Sequence, residues 1–175
     1  MKPFKIIVFA LLIVSCAPIR VNYDYEKTTD FSKYKTYNYY QDIETGMNEL
    51  DTKRLLAAID ANLQSKGFSL SETPDFFINI QSSEYHESQR NTVGVGLGGS
   101  GRNVGGGLSV GIPIGQSKIN RRIIIDFIDE NGKGLFWQSV SESHFNPNSS
   151  PSVREERLKA IVEKVLLQYP PNTKK

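Results

Sequence analysis

Cysteine occurs once in this sequence, at position 16, and histidine twice, at positions 86 and 144. A single cysteine excludes an internal disulfide and any multi-thiolate metal site. Long apolar runs are also missing. The stretch Ile6–Val14 is about nine residues, against the roughly 20 that a membrane-spanning helix requires. Charge of one sign is scarce too. The formal net charge of +2 comes from Lys2 and Lys5, and beyond residue 15 the chain carries 19 basic and 19 acidic residues. That neutrality argues against nucleic acid as a partner, which needs a basic surface to displace counterions. It argues equally against electrostatic attachment to anionic lipid.

Catalytic signatures are sparse as well. No Gly-x-Ser-x-Gly elbow is present. Gly94, Gly96 and Gly99 have the spacing of a dinucleotide fingerprint, but that mechanism needs a helix to follow at once and hold the pyrophosphate at its N-terminus. The residues that follow, Ser100 to Gly107, include four more glycines and cannot start a helix, and no Gly-Lys-Ser/Thr ending appears. No cofactor, no metal and no enzymatic activity are expected.

What is present begins at the N-terminus. Lys2 and Lys5 ahead of Ile6–Val14 make the charged and apolar parts of a secretory signal. Ile13-Val14-Ser15-Cys16 sets an aliphatic residue three before a cysteine and a small residue just before it, which resembles the bacterial lipobox. The resemblance implies cleavage after Ser15, loss of residues 1–15, and a Cys16 carrying a diacylglycerol thioether and an amide-linked acyl chain. Three acyl chains exceed the two signals that stable anchoring takes. The bland alternative is an ordinary secretory signal with a chance cysteine.

Residues 16–20 are expected to be a tether, 21–171 one domain, and 172–175 a tail. Val21, Tyr23 and Tyr25 alternate with Asn22 and Asp24, as in a half-buried strand. Asp30–Tyr34 reads as a turn, with Asp30 able to cap a short helical turn, and Thr36–Tyr40 reads as a second strand. Seven of the eight tyrosines precede position 90. They read either as an aromatic binding surface or as strand residues with apolar bodies and wet tips. Leu55, Leu56, Ile59 and Leu63, widened by Ala58, form the stripe of a helix over residues 48–66 with Gly67 just past its end. Phe76, Ile78 and Ile80 start a third strand after Pro74.

Residues 118–129 give the strongest strand pattern. Ile119, Ile123, Ile125 and Phe127 share one face and Ile124 and Ile128 the other, as in a central strand. Asn131-Gly132 marks a hairpin turn into residues 135–140. After a loop, Ser152 is placed to cap a second helix whose buried stripe is Val153, Leu158, Ile161, Val162, Val165 and Leu166. The predicted fold class is α+β: one antiparallel or mixed sheet of about five strands, two helices on one face, and a glycine-rich insertion at 93–115.

That insertion has its own pattern. Ten of the fourteen glycines fall between 94 and 115. Val93, Val95 and Leu97, then Leu108, Val110, Ile112 and Ile114, alternate with glycine or other small residues. Two such runs can form a hairpin with one aliphatic and one nearly bare face, or remain a loop, since glycine weakens a strand. The aliphatic set is the candidate interaction element, because an apolar face left in water is unusual on a monomer.

The polar residues offer candidates too. His86 and His144 could share a metal with Glu84, Glu87 or Glu142 if their strands meet, although no ligand spacing supports it. Asp126, Asp129 and Asp75 are the carboxylates placed for acid–base work. Asp126 lies among isoleucines where burial can raise its pKa, unless Arg121 or Arg122 pairs with it.

Asp30-Phe31-Ser32-Lys33-Tyr34-Lys35-Thr36-Tyr37, Pro74-Asp75-Phe76, Ile125-Asp126-Phe127-Ile128-Asp129 and Trp137-Gln138 resemble, in this order, the blocks of lipoproteins carrying domain of unknown function 4136. A glycine-rich segment before the Ile-Asp block and a helix ending in a proline pair after Tyr169 fit as well. The resemblance spans roughly residues 20–171. It implies an envelope lipoprotein with an α+β domain, and it brings no catalytic residues. The expected function is a non-enzymatic outer-membrane lipoprotein facing the periplasm, an interaction or assembly module with a protein partner in the envelope. The alternative is a binding module for a hydrophobic envelope molecule, a lipid or glycolipid.

Overall fold

A computed structural model describes residues 18–41, 43–86, 92–94, 111–113, 118–132 and 134–171, with 92–94 and 111–113 described by backbone alone. Cys16 and the signal segment, Glu87, and Val95, Leu97, Leu108, Val110 and Ile114 of the insertion lie outside the described residues. So do Gly96, Gly99 and the tail at 172–175.

The elements are β1 Arg20–Tyr25, β2 Thr36–Tyr39, α1 Glu49–Ser65, β3 Ser69–Leu70, β4 Phe76–His86, β5 Thr92–Gly94, β6 Gly111–Pro113, β7 Ile119–Asp129, β8 Gly134–His144 and α2 Pro151–Leu166. Six strands make one sheet in the order β1-β8-β7-β4-β2-β3. β2 is parallel to both β3 and β4, because α1 intervenes and returns the chain to its starting end; the other pairs are antiparallel. The sheet is therefore mixed. The sixth strand is β3, whose two residues are too short to carry a period-two signal.

β7 lies inside the sheet, between β4 and β8, as its two-sided pattern predicts. Ile123, Ile125 and Phe127 are buried on the helix side, opposite Ser82, Ile80 and Ile78 of β4. Leu55, Ile59 and Leu63 of α1 and Leu158, Ile161 and Val165 of α2 close the layer above them. Asn48 caps α1 by accepting from the Asp51 N–H at 2.9 Å, and Gly67 takes a φ of 88° just past its end.

The start of α2 differs from the sequence expectation. Ser150, not Ser152, accepts the capping N–H, and Pro151 takes the first helical position, where its missing N–H costs nothing. Val153 consequently falls in the first turn, beyond the sheet, and is 52% exposed rather than part of the buried stripe.

Tyr34 and Tyr37 belong to the core rather than to an exposed aromatic surface, and their hydroxyls meet carboxylates in place of the expected wet tips. Tyr34 and Tyr37 are buried, and Tyr37 and Tyr39 both donate to Asp60 Oδ1, at 2.8 and 2.7 Å. Burial first, then the Asp60 bond, pushes both hydroxyls far above the usual tyrosine range. Asp30 caps the short 3-10 turn Phe31–Lys33, as its position suggests.

β5 and β6 pair antiparallel, with Val93 opposite Ile112. The stretches 87–91 and 114–118 are equal in length, so this small ladder keeps the register that joins β4 to β7.

Candidate functional site

Three features converge at one end of the sheet. β1 starts there, with Arg20 opposite Glu142 of β8. β4 ends there and β7 begins, with His86 opposite Ile119 and His144 opposite Asn120. Pro18, next to where the chain enters the domain, lines a 270 Å³ cavity together with Tyr85, Lys118, Asn120 and Glu142. The first described residues of the chain, the end of β4 and the start of β7 therefore share one end. Lys164 of α2 pins the entering chain by donating to the Ile19 carbonyl at 2.6 Å.

Both helices also begin at this end and run side by side in one direction. Where their N-termini meet the sheet, Asp51 is 1% exposed and ringed by donors. Arg54 Nη1 reaches Oδ1 at 2.8 Å, and Asn48 Nδ2 reaches Oδ2 at 3.0 Å. Arg154 Nη1 stands 3.2 Å from Oδ2, and Arg121 Nη1 3.5 Å from it. Arg121 also donates through Nη2 to Glu84 Oε1 at 2.6 Å, and its guanidinium lies 3.6 Å from the Phe145 ring centre. Asp51 suits its place in the first turn of α1, where a carboxylate offsets the helix dipole. Beside this cluster is a second cavity of 230 Å³, walled by Arg121, Arg154 and Arg157 and by the apolar Phe145, Val153 and Ile161.

The residues singled out from the sequence fare differently. His86 lies on the helix-side phase of β4 and His144 on the opposite phase of β8; β7 separates the two strands, and the imidazoles do not share a face. Glu84 is taken by Arg121, and Glu142 by Arg122 at 2.7 Å. Among the described residues no group of three or more His, Cys, Asp or Glu is gathered as metal ligands.

Asp126 is half-buried and pairs with neither arginine; it accepts from Gln138 Nε2 at 2.7 Å. Asp129 accepts from the Tyr34 hydroxyl at 3.0 Å, and burial followed by that bond pushes the phenol up to about 12. Asp75 clamps the chain between the turn and β2, accepting from the Lys35 and Thr36 N–H groups at 2.8 Å each. Burial pushes its pKa up, but those N–H bonds outweigh it and hold the carboxyl below its usual range. Each of these carboxylates accepts a hydrogen bond from within the fold.

Arg154, Arg157 and Phe145 carry no motif, and sequence reasoning passed over them. One signal was legible. Arg121 sits in the buried phase of β7, two residues before Ile123, where a charge demands a buried partner. Asp51 is likewise in phase with Leu55 and Ile59 on α1.

The fold defines the class first: a mixed six-stranded sheet covered on one face by two helices. The family model for Domain of unknown function (DUF4136) matches residues 21–171, and the chain belongs to that family. Among solved structures, a PDZ domain protein from Parabacteroides distasonis is similar in fold, with a TM-score of 0.58 and 13% identity. That similarity covers 94% of this chain, which spans only 39% of the other. The PelC dodecamer from Paraburkholderia phytofirmans matches at a TM-score of 0.48 and 10% identity, over 85% of this chain and 95% of that one. No curated protein matches the sequence.

Proposed function

We propose that the protein is a non-enzymatic lipoprotein of the bacterial outer membrane, facing the periplasm and acting as an interaction or assembly module. The observation that supports it is the shared end: Pro18 and Lys118 line one cavity, so the first described residues lie beside the start of β7, to which the ribbon connects. Arg20 is four positions beyond Cys16. At about 3.3–3.6 Å per extended residue, a lipidated Cys16 holds this end within roughly 14 Å of the bilayer. The ribbon then works beside the membrane, with the aliphatic set at 93–114 as its contact to an envelope protein. By resemblance to enterobacterial sorting, Ala17 in place of an aspartate after the lipidated cysteine favours the outer membrane.

A second reading, a binding module for a lipid or glycolipid, is favoured by the sheet face away from the helices. There Phe77 pairs with Ile128 and Ile124 with Val140, all half-buried.

Cell fractionation of wild type and Cys16→Ala tests the anchor, with acylation read by mass spectrometry of the N-terminal peptide. Wild type in the outer membrane and a soluble or unprocessed variant are expected; soluble, unacylated wild type removes the reading. Crosslinking in cells, with and without residues 94–115, tests the ribbon. Loss of a partner from an otherwise folded deletion variant is expected, and an unchanged partner set makes the segment a passive loop.

A further inference from the structure

The sheet face away from the helices changes sign along its length. Across β1, β8 and β7 one rung reads Arg20, Glu142, Arg122, and the rung four residues further on reads Asp24, Gln138, Asp126. Alternate residues of a strand share a face, so both rungs lie opposite the buried Ile123, Ile125 and Phe127. The first rung holds two bases and one acid, the second two acids and no base. At about 3.3 Å per residue the rungs stand roughly 13 Å apart, beyond the screening length of about 8 Å at physiological salt. The net neutrality of the chain conceals this separation.

The basic rung borders the 270 Å³ cavity at which the described chain begins. Its one acid is already occupied: Arg122 donates to Glu142 Oε1 through Nε at 2.9 Å and through Nη2 at 2.7 Å. Arg20 and Lys118, both exposed on the cavity wall, have no ion-pair partner among the described residues. The adjoining segments leave this balance unchanged in sequence. Residues 16–19 and 114–117 carry no charged side chain, and 87–91 carry one acid, Glu87, and one base, Arg90. The cavity therefore has two spare positive charges. Apart from Pro18, the rest of its wall is polar: Tyr85, Asn120, Ser143 and His144. Such a wall suits a hydrated anion and offers no slot to an acyl chain. The volume equals that of about nine waters at roughly 30 Å³ each, which suits a phosphate ester rather than a lipid tail.

We infer that this cavity receives the phosphate headgroup of an anionic phospholipid, with Arg20 and Lys118 as its counter-charges and the acyl chains left in the bilayer. The lipid as source rests on the anchored reading, in which Pro18 is two residues from a bilayer-held Cys16; the spare positive charge does not. A bound headgroup turns the basic rung toward the membrane and the acidic rung away, so the domain stands on the bilayer in one orientation.

The site is tested by calorimetric titration of the purified full chain, in phosphatidylcholine nanodiscs, with glycerophosphoglycerol. Glycerophosphocholine supplies the same phosphodiester without net charge. Saturable binding is expected, at least tenfold tighter than that control and weakened by added salt. Arg20→Gln and Lys118→Gln should each weaken it about fivefold, the worth of one base at an anionic surface, and the double variant more. Because both side chains are exposed and unpaired, the thermal midpoint should not move, and Arg20→Lys should bind like wild type. The site is overturned if no saturable binding occurs, if glycerophosphocholine binds as tightly, or if the double variant binds like wild type.

The source is tested by repeating the titration in phosphatidylglycerol nanodiscs, where the lipid should occupy the cavity and suppress binding of the soluble headgroup. Mass spectrometry of the same sample reads whether Cys16 is acylated. Undiminished binding by an acylated chain overturns the lipid and makes the ligand a free phosphate ester. An unacylated Cys16 removes the anchored reading and the lipid with it, while the soluble headgroup still decides the site.

Discussion

The covered face of the sheet is built differently at its two ends. Beside the β7–β8 turn, Phe76, Phe127, Phe136, Trp137 and Tyr169 meet edge-on and tilted, with ring centres 4.6 to 6.3 Å apart. All are almost wholly buried, and apolar burial of this kind stabilises a fold in proportion to the area removed from water. At the other end the same layer holds Asp51, Arg121 and Arg154 and a cavity. Desolvating such ions costs several kcal/mol each, which their attraction only partly returns. One end is what a stable core requires; the other costs stability and keeps space open. A fold that needed only to persist would gain by making both ends alike.

The contrast can be broken first at the ionic end. Asp51→Ala leaves its arginines facing one another and should cost about 3–5 kcal/mol. Replacing Asp51 by Leu and Arg121 by Met together should cost less than that single change, measured by urea unfolding. If the pair costs more, the cluster is a source of stability and the contrast dissolves.

In the apolar layer between the ends, Ile125→Ala should cost about 2–5 kcal/mol through lost burial and a cavity. A cost within the surface range of about 0.5 kcal/mol would take that residue out of the core.

Asn48→Ala, which removes both the cap of α1 and one donor to Asp51, should cost about 1 kcal/mol. Restoration of most of it by Asn48→Ser would mark the cap, rather than the Asp51 contact, as its source.

The smallest effect is expected at exposed Asp75. Its carboxyl is held below the ordinary value of 3.8, so it stabilises the fold above that pH and loses this as pH falls through the lower, folded value. Asp75→Asn should flatten that part of the acid unfolding profile and shift stability at neutral pH by no more than about 0.5 kcal/mol. An unchanged acid limb would mean that the N–H bonds of Lys35 and Thr36 do not bias its titration.

The aromatic end was legible in part from the sequence. Phe76 and Phe127 fall within alternating strands, and the α1 and α2 stripes repeat at helical spacing, so local periodicity carries their burial. Phe136 and Trp137, buried side by side where the β7–β8 register shifts, are outside that rule. The ionic end was not legible as a site, because Asp51, Arg121 and Arg154 are brought together by the helix crossover and sheet order. Local pattern gives each only its own phase. Arg121 among isoleucines announced a buried charge but not its partner. Val153 was misplaced because the capping role went to Ser152, when a proline at the first helical position points to Ser150.

Tension on a tether would enter the domain through β1. That strand runs inward from the chain's point of arrival, and all six of its residues pair with β8. A pull directed back along the strand loads these bonds in shear, many at once, instead of opening them in sequence like a zipper. The Lys164 link to the Ile19 carbonyl stands at the head of that line. The edge strand, although it has only one neighbour, would thus serve as a mechanical clamp if the N-terminus is anchored as proposed.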